Sequence, residues 1–258
     1  EYEARKKLYQ EYEPLLFQLN ELVSIAYSRI EGIAKSFQDG TLNKDNWTAV
    51  TNEYFKNTIY KLIAPLAVYK LMQKKLTYID FGVEPKIHAQ YTLLKIMYFS
   101  FQEEFKIARN GTTQEDKEYL DKWKKEYIEP SNEFHRQGIP SGQLDKITEF
   151  FTSRDQEKNS IISYGQYENM FDDRSDEYFY EIVNLAGKPF IEFHPDEKPI
   201  LWTLLIVHAS IYFILSKVKF ISNYDKKKII DLANGFYDNK KDDFSWNADR
   251  ETYHSYWS

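Results

Sequence analysis

An all-α fold, a multi-helix bundle with long kinked N-terminal helices and a buried hydrophobic helix near 199–217, is what the chain predicts. Three observations carry this. Apolar residues recur at steps of three and four through almost every long segment. Strand character is confined to one short stretch, Ser160–Tyr164, which reads as a short strand or plain extended chain. The most apolar run opens with proline and is followed by lysines, as a helix would be.

The first helix follows from the series Leu8, Tyr12, Leu15, Leu19, Leu22, Ala26, Ile30, Ile33, Phe37, an apolar stripe on one face. Leu16, Phe17, Val23 and Ile25 widen it, so the helix should face a globular core rather than a narrow coiled-coil seam. Pro14 lacks an N–H and should kink this helix or begin a second segment. Asp39-Gly40 is its stop. A second helix is expected from about Trp47 to Lys75, with a kink or break near Leu62–Ala64 because of Pro65. A third should start at Glu84-Pro85 and carry Ile87, Tyr91, Leu94, Tyr98, Phe101, Phe105 and Ala108 to a stop at Asn110-Gly111. A fourth spans about Gln114 to Tyr127.

Residues 131–142 hold Gly138, Pro140 and Gly142 and read as a linker. It divides a helical half, 1–130, from a more irregular acidic half, 131–258, with one compact domain overall as the alternative. Shorter helices are expected over Leu144–Thr152, Tyr167–Phe171 and Asp176–Ala186, then a strong one over Pro195–Lys217 and another near Tyr224–Phe236. No internal repeat is visible.

Composition narrows the chemistry. The 258 residues contain no cysteine, which removes disulfides, thiolate catalysis and cysteine-built zinc sites. The formal charge is −6, the opposite of the basic field a non-specific nucleic-acid binder needs. The charge is also uneven. Residues 1–130 hold 19 basic and 19 acidic side chains, whereas 168–197 hold nine acids and two bases. Lysine outnumbers arginine 27 to 7, a bias suggesting an AT-rich bacterial or phage gene. The aromatic excess falls mostly on the helical stripes, so core packing explains it better than base stacking.

Ile200–Leu215 is apolar all round, which suits a buried central helix or a membrane span. A span needs about 20 apolar residues; this run is shorter and contains Thr203, His208 and Ser210. A core helix is therefore expected, with His208 hydrogen-bonded inside it, because an unpaired imidazole in a core is costly.

Candidate chemistry collects at two places. Phe134-His135-Arg136-Gln137-Gly138-Ile139-Pro140-Ser141-Gly142 combines His, Arg and Ser with flexible glycines. Arg136, Ser141 and backbone N–H groups there could hold an anion, although Ser141 equally suits a helix N-cap. Phe193-His194-Pro195-Asp196-Glu197 places a histidine beside carboxylates at the mouth of the apolar helix, where general-base chemistry is available. His135 and His194 are thus the catalytic candidates, and Arg136, Ser141 and His194 the ligand-binding ones. Asp172, Asp173, Asp176 and Glu177 are the candidate contacts to a basic partner, with Ser175 opening the helix behind them. No calcium hand, His-Glu-x-x-His, phosphate loop or dinucleotide fingerprint occurs, so neither a metal nor a cofactor is expected. Arg250 and His254 are spaced too closely for the pair that helical ribonucleases of the HEPN type use.

These features lead to a non-catalytic helical scaffold, sensor or regulatory module that engages a protein partner or another copy of itself. A hydrolase or nuclease with a composite His/Arg/carboxylate site, and a binder of nucleotides or other anionic small molecules, are the alternatives. A cytoplasmic location is expected. Arg5-Lys6-Lys7 would suit the cytoplasmic flank of an anchor preceding Glu1, tethering the module to the inner face of a membrane.

Overall fold

The computed structural model describes residues 2–43, 52–76, 84–101, 137–152, 160–171 and 176–217. Among them are seven α-helices and one 3-10 turn: α1 (Tyr2–Gln38), α2 (Glu53–Leu76), α3 (Pro85–Ser100), α4 (Ser141–Phe151), α5 (Tyr164–Asn169), α6 (Glu177–Gly187), the turn Lys188–Phe190, and α7 (Pro199–Lys217). The fold is an all-α multi-helix bundle.

The stripe on α1 is buried as its spacing requires: Leu8, Tyr12, Leu15, Leu19, Ala26, Ile30 and Ile33 are all shielded from solvent. They pack against α2 on one side and α7 on the other. The exception is Phe17, 60% exposed, which lies off the stripe. Gly40, with φ 64°, closes α1 in the left-handed region that glycine enters freely.

Neither helix breaks at its proline. α1 runs through Pro14 and α2 through Pro65 as single elements. A proline removes one backbone bond and crowds one carbonyl, while the apolar residues on both sides of it share one core. α2 also begins later than its periodicity suggests. Asn52 Oδ1 accepts from the Tyr54 N–H at 2.8 Å and caps the helix there. At the end of α3, the Ser100 hydroxyl takes the Met97 carbonyl at 2.6 Å, and the helix gives way to a turn at Phe101. The expected continuation to Ala108, the helix at 114–127 and the helix at 224–236 lie outside the described residues.

The second half corrects several boundaries. Ser141 is the first helical residue of α4, and Pro140 occupies the cap position without a side-chain bond. α5 starts one turn earlier than its aromatic pattern implies, because Ser163 and Gln166 form a reciprocal capping box. α6 is capped by Asp176, whose Oδ1 accepts from the Phe179 N–H at 2.9 Å, while Ser175 lies outside the described residues. α7 starts at Pro199 rather than Pro195. The N–H groups of Glu197 and Lys198 both donate to the His194 carbonyl and hold 195–197 in a turn. The stretch 160–164 makes one isolated antiparallel bridge, Thr152 to Ile161, and no strand.

α7 is apolar all round because it is surrounded. Leu201, Leu204, Leu205, Ile206, Ala209, Ile211, Tyr212 and Leu215 are buried, with α1 and α3 as neighbours. No helix among the described residues is long and apolar enough to cross a membrane. Buried residues from both halves of the chain belong to one continuous cluster. A close approach completes it. A Cβ on Gly187 would stand 2.7 Å from Phe55 Cζ and 3.0 Å from Ile59 Cδ1, so glycine lets the end of α6 seat on α2 without displacing the ring.

Candidate functional site

The sequence candidates do not all fall within view. His135, Arg136, Asp172 and Asp173 lie outside the described residues. Ser141 is exposed at the start of α4. His194 sits in the turn before α7, with its ring edge-on to Phe37 of α1 at a centroid distance of 5.3 Å. Its Nδ1 is 3.5 Å from Asp196 Oδ2 and accepts from the Asp196 N–H at 3.4 Å. The Asp196 carboxylate is 72% exposed, so water competes for it and the pairing orients the ring only weakly. Asp176 is committed to its cap, while Glu177 faces solvent one residue later.

The mouth of α7 is instead organised by residues with a positional task. The Gln137 Oε1 accepts from the Leu201 N–H at 3.0 Å, a buried bond from the linker to one of the first N–H groups of α7. Those groups have no partner within the helix. Lys198 donates to the Pro189 and Ile191 carbonyls at 2.9 and 2.7 Å. Burial lowers its ammonium from the ordinary lysine value, with Glu192 acting in the opposite direction. The clamp fixes the tight turn in which Glu192 adopts φ 53°, a left-handed conformation that non-glycine residues rarely hold.

A second polar cluster joins α2, α3 and α4. The Tyr98 hydroxyl donates to Asp145, whose Oδ1 is also 2.6 Å from Lys70 Nζ. Lys70 lies over the Tyr98 ring at 5.0 Å. Burial and the bond to Asp145 push the Tyr98 hydroxyl far above the ordinary tyrosine range. Burial alone would raise the Asp145 carboxyl, but the bonds from Lys70 and Tyr98 outweigh it and hold it low. A phenol held protonated beside a carboxylate held ionised is a tie between helices; it supplies no base from the phenol.

His208 lies fully within the core and its Nε2 is 2.6 Å from Ser100 Oγ. Ser100 has one hydroxyl hydrogen, and the Met97 carbonyl, which can only accept, takes it at 2.6 Å. His208 Nε2 therefore carries the proton and donates to Ser100. A serine activated as a nucleophile needs the reverse arrangement. Burial lowers His208 to about 3, so the ring is neutral.

Sequence reading missed the fourth cluster entirely. Arg29 of α1 reaches across to α2, with its Nη2 2.5 Å from Asn57 Oδ1 and its Cζ 4.3 Å from the centre of the Tyr54 ring. Lys61 follows one turn after Asn57. No linear motif marks this group, since its members come from two helices; the only signal was a cation placed inside a mainly apolar helical face. No group of three or more His, Asp or Glu side chains suited to a metal occurs among the described residues. Compared with family models, curated proteins and solved structures, the chain has no match.

Proposed function

We propose that the chain is a non-catalytic helical interaction module that presents an acidic face to a basic protein partner. The observation that supports this reading is the exposure of Glu177 and Glu181 on α6 and of Glu192, Asp196 and Glu197 in the turns that follow. Lys146 meets Glu181 at 2.6 Å and Lys188 also faces solvent, so the face is acidic on balance. It is carried on a rigid element, since Phe179, Ile182, Val183 and Ala186 anchor α6 in the core. A face that is already ordered loses less freedom when it binds.

Titration with an oligolysine peptide tests the reading. Binding should weaken steeply with salt, because exposed charge contacts are screened. It should be lost when Asp172, Asp173, Glu177 and Glu181 are reversed to lysine. Asp176 is left intact in this variant, because reversing it would break the cap of α6. Binding that survives the reversal, or that ignores salt, discards the proposal. In a tethered form of the same reading, the exposed Arg5-Lys6-Lys7 at the start of α1 rests on an anionic bilayer surface. Vesicles with anionic lipid should then retain the chain and neutral vesicles should not.

A further inference from the structure

Partly buried lysines among the described residues follow a rule, with one exception. Lys56 meets Glu53 at 2.6 Å, Lys70 meets Asp145 at 2.6 Å, Lys75 meets Glu11 at 2.8 Å and Lys146 meets Glu181 at 2.6 Å. Lys198 is held by two carbonyls. Among the described residues of intermediate burial, Lys61 is the one lysine with no ion pair or hydrogen bond.

Its surroundings add positive charge. Asn57 and Lys61 are four residues apart on α2 and share a face. Asn57 is bonded to the Arg29 guanidinium, so the two cations come together across the α1–α2 seam. The oxygen that meets Arg29 belongs to a neutral carboxamide and cancels no charge. The Arg29 Nε is buried and has no acceptor. Burial and the Arg29 charge both lower the Lys61 ammonium from its ordinary value. Two acids of the same helices have other partners. Glu31 accepts from Tyr27 and Glu53 pairs with Lys56.

Two cations and a bare N–H at a partly dry seam are unfavourable unless something negative joins them. We propose that the Arg29–Lys61 seam between α1 and α2 is a binding site for a phosphate group. A phosphate monoester carries close to two negative charges near neutral pH, matching the two cations, and has oxygens enough for Nε–H, a guanidinium edge and an ammonium together. A carboxylate supplies only half that charge. This site is separate from the acidic face on α6, and its fate does not depend on that reading.

The test uses inorganic phosphate and acetate as probes against the full chain, at constant ionic strength made up with chloride. Calorimetry and the thermal midpoint are the readouts. Phosphate should bind saturably and raise the midpoint, because a ligand that prefers the folded state stabilises it. Acetate at equal ionic strength should do so at least about ten-fold more weakly. Lys61→Met should weaken phosphate binding by about ten-fold or more. The same variant should be no less stable than the parent without phosphate, since it removes an unmatched cation. Arg29→Gln provides a second variant with the same expected loss of binding. Phenyl phosphate against inorganic phosphate then separates an esterified source from the free ion. The proposal is overturned by a midpoint that does not respond to phosphate, by acetate acting as strongly as phosphate, or by undiminished binding in both variants.

Discussion

The Ser100 hydroxyl and the His208 Nε2, 2.6 Å apart, join α3 to α7 inside the core. The burial of that ring has a consequence for pH. His208 is held near 3 in the folded chain, against an ordinary value of 6.5. Between those values the unfolded chain binds a proton that the folded chain refuses, so stability falls as pH drops from about 6.5 toward 3. The contribution is fully present above 6.5. The slope from this group approaches about 1.4 kcal/mol per pH unit. Urea unfolding of the parent and of His208→Gln, from pH 7 down to pH 4.5, checks this. The variant, which keeps a donor and cannot titrate, should lose most of the slope; an unchanged slope would show that other groups cause it.

Removing a tyrosine hydroxyl should have opposite signs at two places. The Tyr212 hydroxyl is buried without a partner, and burial pushes it far above the ordinary tyrosine range. Tyr212→Phe should therefore leave stability unchanged or raise it by about 1 kcal/mol. Tyr98 bonds Asp145 and lies within 3.3 Å of Thr148 Oγ1. Tyr98→Phe should cost about 1–3 kcal/mol, since hydrogen bonds to charged groups are among the stronger ones. Chemical denaturation of both variants decides, and a loss at position 212 as large as that at 98 refutes the distinction.

Gly187→Ala tests the seating of α6 on α2. The added methyl would meet Phe55 Cζ at 2.7 Å and Cε1 at 2.9 Å, so the ring or the helix must shift. A loss of about 1–3 kcal/mol is expected, the usual scale of overpacking. Phe55→Leu in the same chain should recover part of it by giving the methyl room. If the double variant is as unstable as the two single losses added together, the clash is not the cause.

Gln137→Met should also destabilise, by about 1–3 kcal/mol, because it leaves the buried Leu201 N–H without an acceptor. Gln137→Glu keeps the oxygen and places negative charge at a helix N-terminus, where it is favoured. It should recover most of the loss. The two melting midpoints read the effect directly, and equal destabilisation by both would show that packing rather than the bond matters.

Helix existence was legible because periodicity is a local property. The stripe from Leu8 to Ile33 named the buried face of α1, with Phe37 partly buried at its end, and the uniform apolarity of 200–215 marked α7 as central. Boundaries were less legible, because one bond decides each of them. Asn52 and Ser163 set two helix starts, and nothing in the apolar pattern distinguishes them from neighbouring polar residues, whereas the start expected at Asp176 agrees within one residue. Pro14 and Pro65 do not divide their helices, because the apolar residues on both sides of each share one core, and that packing is not visible in a local pattern.

Sites were the least legible. Attention to histidines selected His194, whose aspartate partner is solvated, and passed over Lys70, Asp145 and Tyr98, which come from three helices. What the sequence alone determined is the all-α class, the absence of thiol chemistry, the buried faces of α1 and α7, and a charge imbalance concentrated in 168–197. These depend on composition and on spacing along one element. Tertiary structure alone decided which cations find a partner. Lys70 is matched by Asp145, 75 residues away in sequence, while Lys61 is left beside Arg29, because pairing depends on which faces of different helices meet.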